Sequence, residues 1–252
     1  MQYNIPMKNF YTVLIVLMLF SCDEKENKSE DAEALIEKSI KVSGSDKLDI
    51  AVYSFDFRDK HYEAGRFDGT YVLKRQFKDM NDTVVDFLSN ENFERRINDS
   101  VVSVPDSMST KYAASVNSVH YFAVLPYGLN GKAVNKKYLG TIDLKGQSYH
   151  KIEVTFDKAG GGEDFEDVFI YWVNKNTLKI DYLAYSYNED DGKGLRFREA
   201  YNERYVKGIR FVDYNNYKPN DEAANLEDLD RLFEHNKLEL LSKIELENVN
   251  VN

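Results

Sequence analysis

The chain has few of the residues that staple or punctuate a fold, and each shortage excludes something. One cysteine, Cys22, occurs in 252 residues, so no intrachain disulfide can form and a thiolate zinc site lacks its ligands. The four histidines, His61, His120, His150 and His235, stand far apart with no HExxH spacing, which leaves metal catalysis without a visible ligand set. There is no GxSxG nucleophile elbow and no GKS/T phosphate loop, so acyl-transfer and P-loop chemistry have no motif, and no cofactor is expected. Basic side chains are outnumbered 33 to 43, for a net charge of −10; nucleic acid and anionic headgroups therefore meet no attractive surface. No proline, glycine or serine tract divides the chain and no internal repeat is found, so one large domain is expected.

What is present begins with "TVLIVLMLFSCDEKENKSE", residues 12–30. The apolar run from Phe10 to Phe20 is too short for a membrane span, which needs about 20 apolar residues. Lys8 upstream is the only charge before it, and Ser21 sits directly before Cys22; basic start, apolar middle and small residue are the order of a signal peptide over residues 1–21. Leu19-Phe20-Ser21-Cys22 resembles the lipobox of bacterial lipoproteins, although Phe20 stands where that motif has a small residue. The resemblance implies lipidation of Cys22, cleavage before it, and anchoring in the outer membrane on the periplasmic face or the cell surface. An ordinary secretory signal with a chance cysteine is the other reading. Residues 22–31 are polar and form an acidic tether that cannot bury enough surface to order itself. Asp23, Glu24 and Glu26 resemble the surface-export signal of Bacteroidota lipoproteins, with a solvated linker as the alternative. The whole chain also resembles a group of uncharacterised lipoproteins from that phylum.

The body, residues 32–252, opens with an amphipathic helix over 31–42, where Ala32, Leu35, Ile36 and Ile40 share one side and Glu33, Glu37 and Lys41 the other; Gly44 can end it. Strands are expected at 49–57, 69–77, 83–89, 93–99 and 100–105 as an antiparallel meander. A second helix over 109–124 has Tyr112, Val116, Val119, His120 and Ala123 on one stripe, and its far end, "VHYFAVLPYGL", is apolar nearly all round, so it should be buried. A second meander is expected at 147–157, 166–174, 178–188, 195–202 and 208–218, followed by a short helix over 225–234 capped by Asn225 and a final strand over 237–251 with one wet face.

One strand stands apart. In "VFIYWV", Val168, Ile170 and Trp172 point one way and Phe169, Tyr171 and Val173 the other, so both faces need cover. "SYHKIEVTF" followed by "VFIYWVNKNTLKIDYL" resembles the strand, turn and strand of the LolA and LolB type of lipoprotein carrier, with Asn174 where that family has Asp in its D-x-x-T turn. The resemblance implies an α+β fold in which a curved antiparallel sheet, a half-open barrel, wraps one or two helices in a single domain. It also implies a cavity for an apolar ligand, a lipid or an acylated protein, and no catalytic residues. Trp172 and Phe169 are then expected at the cavity wall, with Tyr121 and Phe122 opposite. Alternation allows only one of the first two to line it, and Trp172 is favoured for its polar edge.

The remaining candidates have bland alternatives. His120, on the apolar stripe, reads as a hydrogen-bonded core or cavity histidine. In "DKAGGGEDFED", Asp157, Glu163 and Asp164 offer hard oxygens for calcium, against a flexible hairpin without the EF-hand spacing. Arg196 and Arg198 share one strand face, where carboxylate partners on a neighbouring strand are expected rather than an anion site. Tyr182, Tyr185, Tyr187, Tyr201, Tyr205, Tyr214 and Tyr217 suit a half-buried sheet face or, alternatively, an exposed surface recognising glycan or protein. If Cys22 carries the anchor, Cys22→Ser should abolish metabolic labelling by a fatty acid and leave the precursor uncleaved; label retained by the variant would refute lipidation at this position.

Overall fold

The structure, a computed structural model, describes residues 1–2, 31–159, 166–189, 192–221 and 223–252. The apolar run, Cys22, Glu163 and Asp164 lie outside the described residues, as does all of the tether except Asp31. Helix α1 (Ala32–Ser43) starts where the Asp31 carboxylate accepts the Glu33 and Ala34 N–H groups. It ends at Gly44, whose φ of 62° lets its N–H close back on Ile40 and Lys41. A Cβ at Gly44 would come 2.0 Å from the Gly208 carbonyl oxygen, so the close approach itself demands glycine.

Two antiparallel meanders follow, as the sequence pattern predicts. β1 (Val52–Phe57), β2 (Lys60–Phe67), β3 (Thr70–Asp79), β4 (Asp82–Ser89), β5 (Phe93–Ile97) and β6 (Ser100–Val102) pair in chain order. After helix α2 (Asp106–Ala123) come β7 (Val134–Leu144), β8 (Gln147–Phe156), β9 (Val168–Asn174), β10 (Ile180–Glu189), β11 (Gly192–Val206) and β12 (Ile209–Pro219). Helix α3 (Leu229–Glu234) precedes β13 (Leu238–Ile244) and β14 (Glu247–Val251). Tight turns with two successive left-handed residues, Asp68-Gly69, Asn98-Asp99, Lys145-Gly146 and Lys207-Gly208, match the right-handed twist of the strands they join. β2 and β7 are strands that the pattern does not predict: Ala64 and Gly65 dilute the signal in one, and the other is a polar edge strand beginning "VNKKY".

The expected single terminal strand is two. β13 pairs with β12 while β14 pairs with β1, so the chain passes from the second sheet to the first at Glu245-Leu246. The backbone groups freed at the break are taken by side chains: Leu246 N–H donates to Asp213 at 2.9 Å, and Arg204 donates to the Leu246 carbonyl at 2.6 Å. Buried backbone groups need such partners. The result is a pair of curved, unclosed seven-stranded sheets, β14-β1-β2-β3-β4-β5-β6 and β13-β12-β11-β10-β9-β8-β7, arranged as a half-open barrel in a single α+β domain.

Strand β9 is covered on both faces, as its composition requires. Phe169, Tyr171 and Val173 face α1 and the end of α2, within a core that includes Leu35, Ile36, Ile152, Leu183 and Tyr214. Ile170 and Trp172 face the other way, beneath Leu229 and Phe233 of α3. On the first sheet, α2 packs Val116 and Ala123 against Tyr53, Phe55, Ala64 and Leu73.

A buried ionic cluster fixes the helix there. Fully buried Asp86 on β4 accepts bonds from Arg75 Nε and Nη2 at 3.0 and 2.6 Å, and from Arg95 Nε at 2.6 Å. These residues are direct cross-strand neighbours. The arginines then hold α2: Arg75 Nη1 donates to Ser115 Oγ at 2.8 Å, and the Arg95 guanidinium lies 3.7 Å from the centre of the Tyr112 ring. Asp86→Asn leaves two buried guanidinium groups without a counter-charge and should cost about 3 kcal/mol of stability in urea unfolding; a loss below about 1 kcal/mol would show that the cluster does not anchor the helix.

Candidate functional site

Helix α2 runs between the inner faces of the two sheets, and open space flanks it. A cavity of about 460 Å³ lies between Ser115, Ser118, Tyr121 and Phe122 of α2 and Phe156, Phe169, Tyr185, Tyr187 and Arg196 of the second sheet, with Asp167 directly before β9. Its walls are aromatic and interlocked. The Phe169 ring stacks on Tyr185 at 5.5 Å and meets Tyr121 and Phe156 edge-on, each at 5.7 Å. Tyr121 and Tyr171 share a hydroxyl–hydroxyl hydrogen bond of 2.5 Å, and burial raises both phenol pKa values, so these rings stay neutral.

A second cavity, about 210 Å³, lies on the other flank of Phe122. Phe57, Val119, Ala123, Val212, Tyr214, Ile244 and Leu246 make it largely apolar, and Arg58, Arg198, Asn216 and Ser242 are polar groups in its wall. Phe122 and Ser118 line both spaces. A third space, about 410 Å³, faces Asp49, Arg66, Tyr71, His120 and Lys132 and is more polar.

Of the residues expected at a cavity wall, Phe169, Tyr121 and Phe122 converge on the cavity of about 460 Å³. Trp172 does not. The two-residue period of β9 sends it to the opposite face, where its Nε1–H donates to Asp230 Oδ2 at 3.1 Å and its ring meets Phe197 edge-on at 5.4 Å. Lys151 Nζ bonds the same carboxylate at 2.6 Å, so the polar edge of the indole belongs to a clamp that seats α3. His120 is buried and satisfied: Tyr53 Oη–H donates to its Nδ1 and its Nε2–H donates to the Lys74 carbonyl, each at 3.2 Å. A carbonyl only accepts, so this geometry selects the neutral Nε2–H tautomer.

Asp157 accepts a bond from Asn135 Nδ2 at 2.7 Å, whereas Glu163 and Asp164 lie outside the described residues. Among the described residues, no group of three His, Cys, Asp or Glu side chains is placed to hold a metal. Among the described residues no ion pair joins Arg196 or Arg198 to a carboxylate, although Asp167 shares the cavity wall with Arg196; the two arginines contact Tyr187, Phe122, Tyr185 and Tyr214. Of the seven tyrosines considered for an open recognition surface, Tyr205 alone is exposed. Asn216 and Phe156 enter the site unheralded by any motif, whereas Arg198 stands out in the sequence beside Arg196; the pairing of Arg198 with Asn216 across β11 and β12 is visible only in the sheet register.

Residues 8–246 match a family described as "Family of unknown function (DUF6503)". Comparison with curated proteins finds no match. Among solved structures, the chain is similar to a DUF1329 family protein from Desulfovibrio piger, at 10% identity over 87% of this chain and 92% of that one, with a TM-score of 0.50. It is also similar to a LolA superfamily protein from Nitrosomonas europaea, at 8% identity over 88% and 91% of the respective chains, with a TM-score of 0.47.

Burial lowers the His120 pKa to about 3 from 6.5, with the nearby Arg66 and Arg75 charges acting in the same direction. Below pH 6.5 the unfolded chain therefore binds a proton that the folded chain refuses, and stability falls by up to about 1.4 kcal/mol per pH unit until pH nears 3. Between pH 7 and pH 5 the native protein should lose about 2 kcal/mol more than His120→Gln in urea titrations; parallel losses would mean that His120 carries no such penalty.

Proposed function

The chain belongs to the DUF6503 family, and from the shape of its interior we propose that it is a non-enzymatic carrier that shelters the apolar part of a lipid or an acylated protein between α2 and the second sheet. The supporting observation is the cavity of about 460 Å³ with Phe122, Phe156, Phe169 and Tyr185 in its wall. Protein interiors are otherwise packed to crystal-like density, and an unfilled apolar void forfeits dispersion contacts. A space within the usual range of ligand sites, bounded mainly by rings, with hydroxyl groups and the polar ends of Asn117, Asp167 and Arg196 in its wall, suits an amphiphilic occupant. The adjoining space of about 210 Å³ beyond Phe122 extends the apolar path.

The body, residues 32–252, hangs in this reading from a lipid on Cys22 through the tether 22–31, in the outer membrane of a bacterial envelope. An anchored body keeps its cavity close to the bilayer from which an acyl chain would come. The tyrosines counted toward a recognition surface are turned largely inward, so the carrier is the better account of them.

Ser118 borders both cavities and its replacement tests the reading directly. Native mass spectrometry of the purified chain should find a co-purifying lipid. Ser118→Trp should lower its occupancy at least tenfold without loss of thermal stability, since the new ring fills existing space. The emission of Trp172, screened from the cavity by the sheet, should not respond to added palmitate, so palmitate binding is followed calorimetrically in the native chain and in Ser118→Trp. A chain that neither carries lipid nor binds added palmitate would overturn the proposal.

A further inference from the structure

Arg198 is held unlike Arg75, Arg95 and Arg210. Arg75 and Arg95 share Asp86, and Arg210 bonds Glu203 at 2.5 Å and the Ile180 carbonyl at 3.0 Å. Arg198 is 8% exposed and has no carboxylate partner among the described residues. Its guanidinium lies 3.7 Å from the centre of the Phe122 ring, and Nη2 donates to Tyr185 Oη at 2.8 Å. Its Nε–H is buried without an acceptor. Directly across the sheet, Asn216 donates to Ser242 Oγ at 3.1 Å while its Oδ1 is buried without a donor. Both side chains line the cavity of about 210 Å³.

A buried cation with an idle donor is expensive unless something supplies its counter-charge. The chain has acidic residues to spare, yet among the described residues none is paired with this one. We infer that the smaller cavity is the headgroup site of the carried ligand: Arg198 holds a single negative charge, a carboxylate or a phosphodiester, and Asn216 accepts from a hydroxyl or N–H beside it. The acyl chain then passes Phe122 into the larger cavity. The planar fork of Arg198 suits either oxyanion, and Arg58 in the same wall adds positive charge to the site. The inference rests on the carrier reading and adds to it the ligand class, an anionic amphiphile.

The test titrates the delipidated full-length chain calorimetrically with three probes below their micellar concentrations. Palmitate carries the anion alone, palmitoyl-lysophosphatidylglycerol carries an anion with neighbouring hydroxyl groups, and hexadecanol carries neither charge nor acid. Both anions should bind at least tenfold more tightly than the alcohol, and Arg198→Gln should bring the ratios close to one. Asn216→Leu should weaken the lysophospholipid more than palmitate if the phosphodiester is the source, and leave palmitate ahead if the carboxylate is. The melting temperature of empty Arg198→Met should hold or rise, because an uncompensated buried charge is removed. Equal binding of palmitate and hexadecanol by the native chain would overturn the headgroup site while leaving the carrier. So would a lowered melting temperature in Arg198→Met with unchanged ratios in Arg198→Gln, the mark of a purely structural stacking residue. Failure of all three probes to bind would overturn the carrier reading itself.

Discussion

The interior depends on α2 being held between two sheet faces. From Val119 onward the helix is apolar on nearly every side, and such a helix is stable only where it is surrounded. Val116 and Ala123 pack on the first sheet, and Tyr121 and Phe122 reach the second. A helix with its side chains is about 10 Å thick, so faces separated by one cannot close on each other, and space is left along its flanks. All three cavities take part of their lining from α2. Its placement is in turn polar: the Asp86 cluster grips Ser115 and Tyr112, His120 bonds the first sheet, and Tyr121 bonds the second.

Strand β9 sets the second boundary. Because its side chains alternate, a single register assigns Phe169 and Tyr171 to the cavity side and Ile170 and Trp172 to the outside. The outer face is as apolar as the inner and requires its own cover, which α3 supplies. Asp230 makes that cover specific, since Trp172 and Lys151 both donate to it. The cost of burying this carboxylate is met by charge-assisted bonds. The indole thus serves the attachment of α3, and the cavity is walled by phenyl and phenol rings.

Charge is distributed by depth. The chain is acidic overall, yet the inner face of β11 presents two arginines to the cavities, and among the described residues Arg198 has no ion-pair partner, while Asp167 shares the cavity wall with Arg196. The buried Arg75 and Arg210 each have an acid, Asp86 and Glu203, and the half-buried Arg95 and Arg204 have Asp86 and Asp213, whereas Arg66 and Arg198 each keep a buried N–H without an acceptor. The contrast separates cations that complete the fold from cations left facing empty space.

The sequence by itself determined the local structure. The Asp31 and Gly44 caps, the two meanders, the buried end of α2 and the double-sided demand of "VFIYWV" all follow from periodicity and turn chemistry, which act between residues near in the chain. Phe169, Tyr121 and Phe122 were legible as cavity candidates for the same reason: a short-range pattern shows which side chains share a face. What only the tertiary structure decided is which face looks inward. Trp172 and Phe169 are equally apolar in sequence, and the choice between them was made by α1, α2 and α3 packing from opposite sides. The terminal run reads as one strand because its alternation is unbroken, and it divides only because Asp213 and Arg204, some forty residues away, capture the backbone of Leu246. Arg198 gives no sign of its isolation in the chain, because a missing partner is a property of the space around a side chain, and that space is formed by strands and a helix distant in sequence.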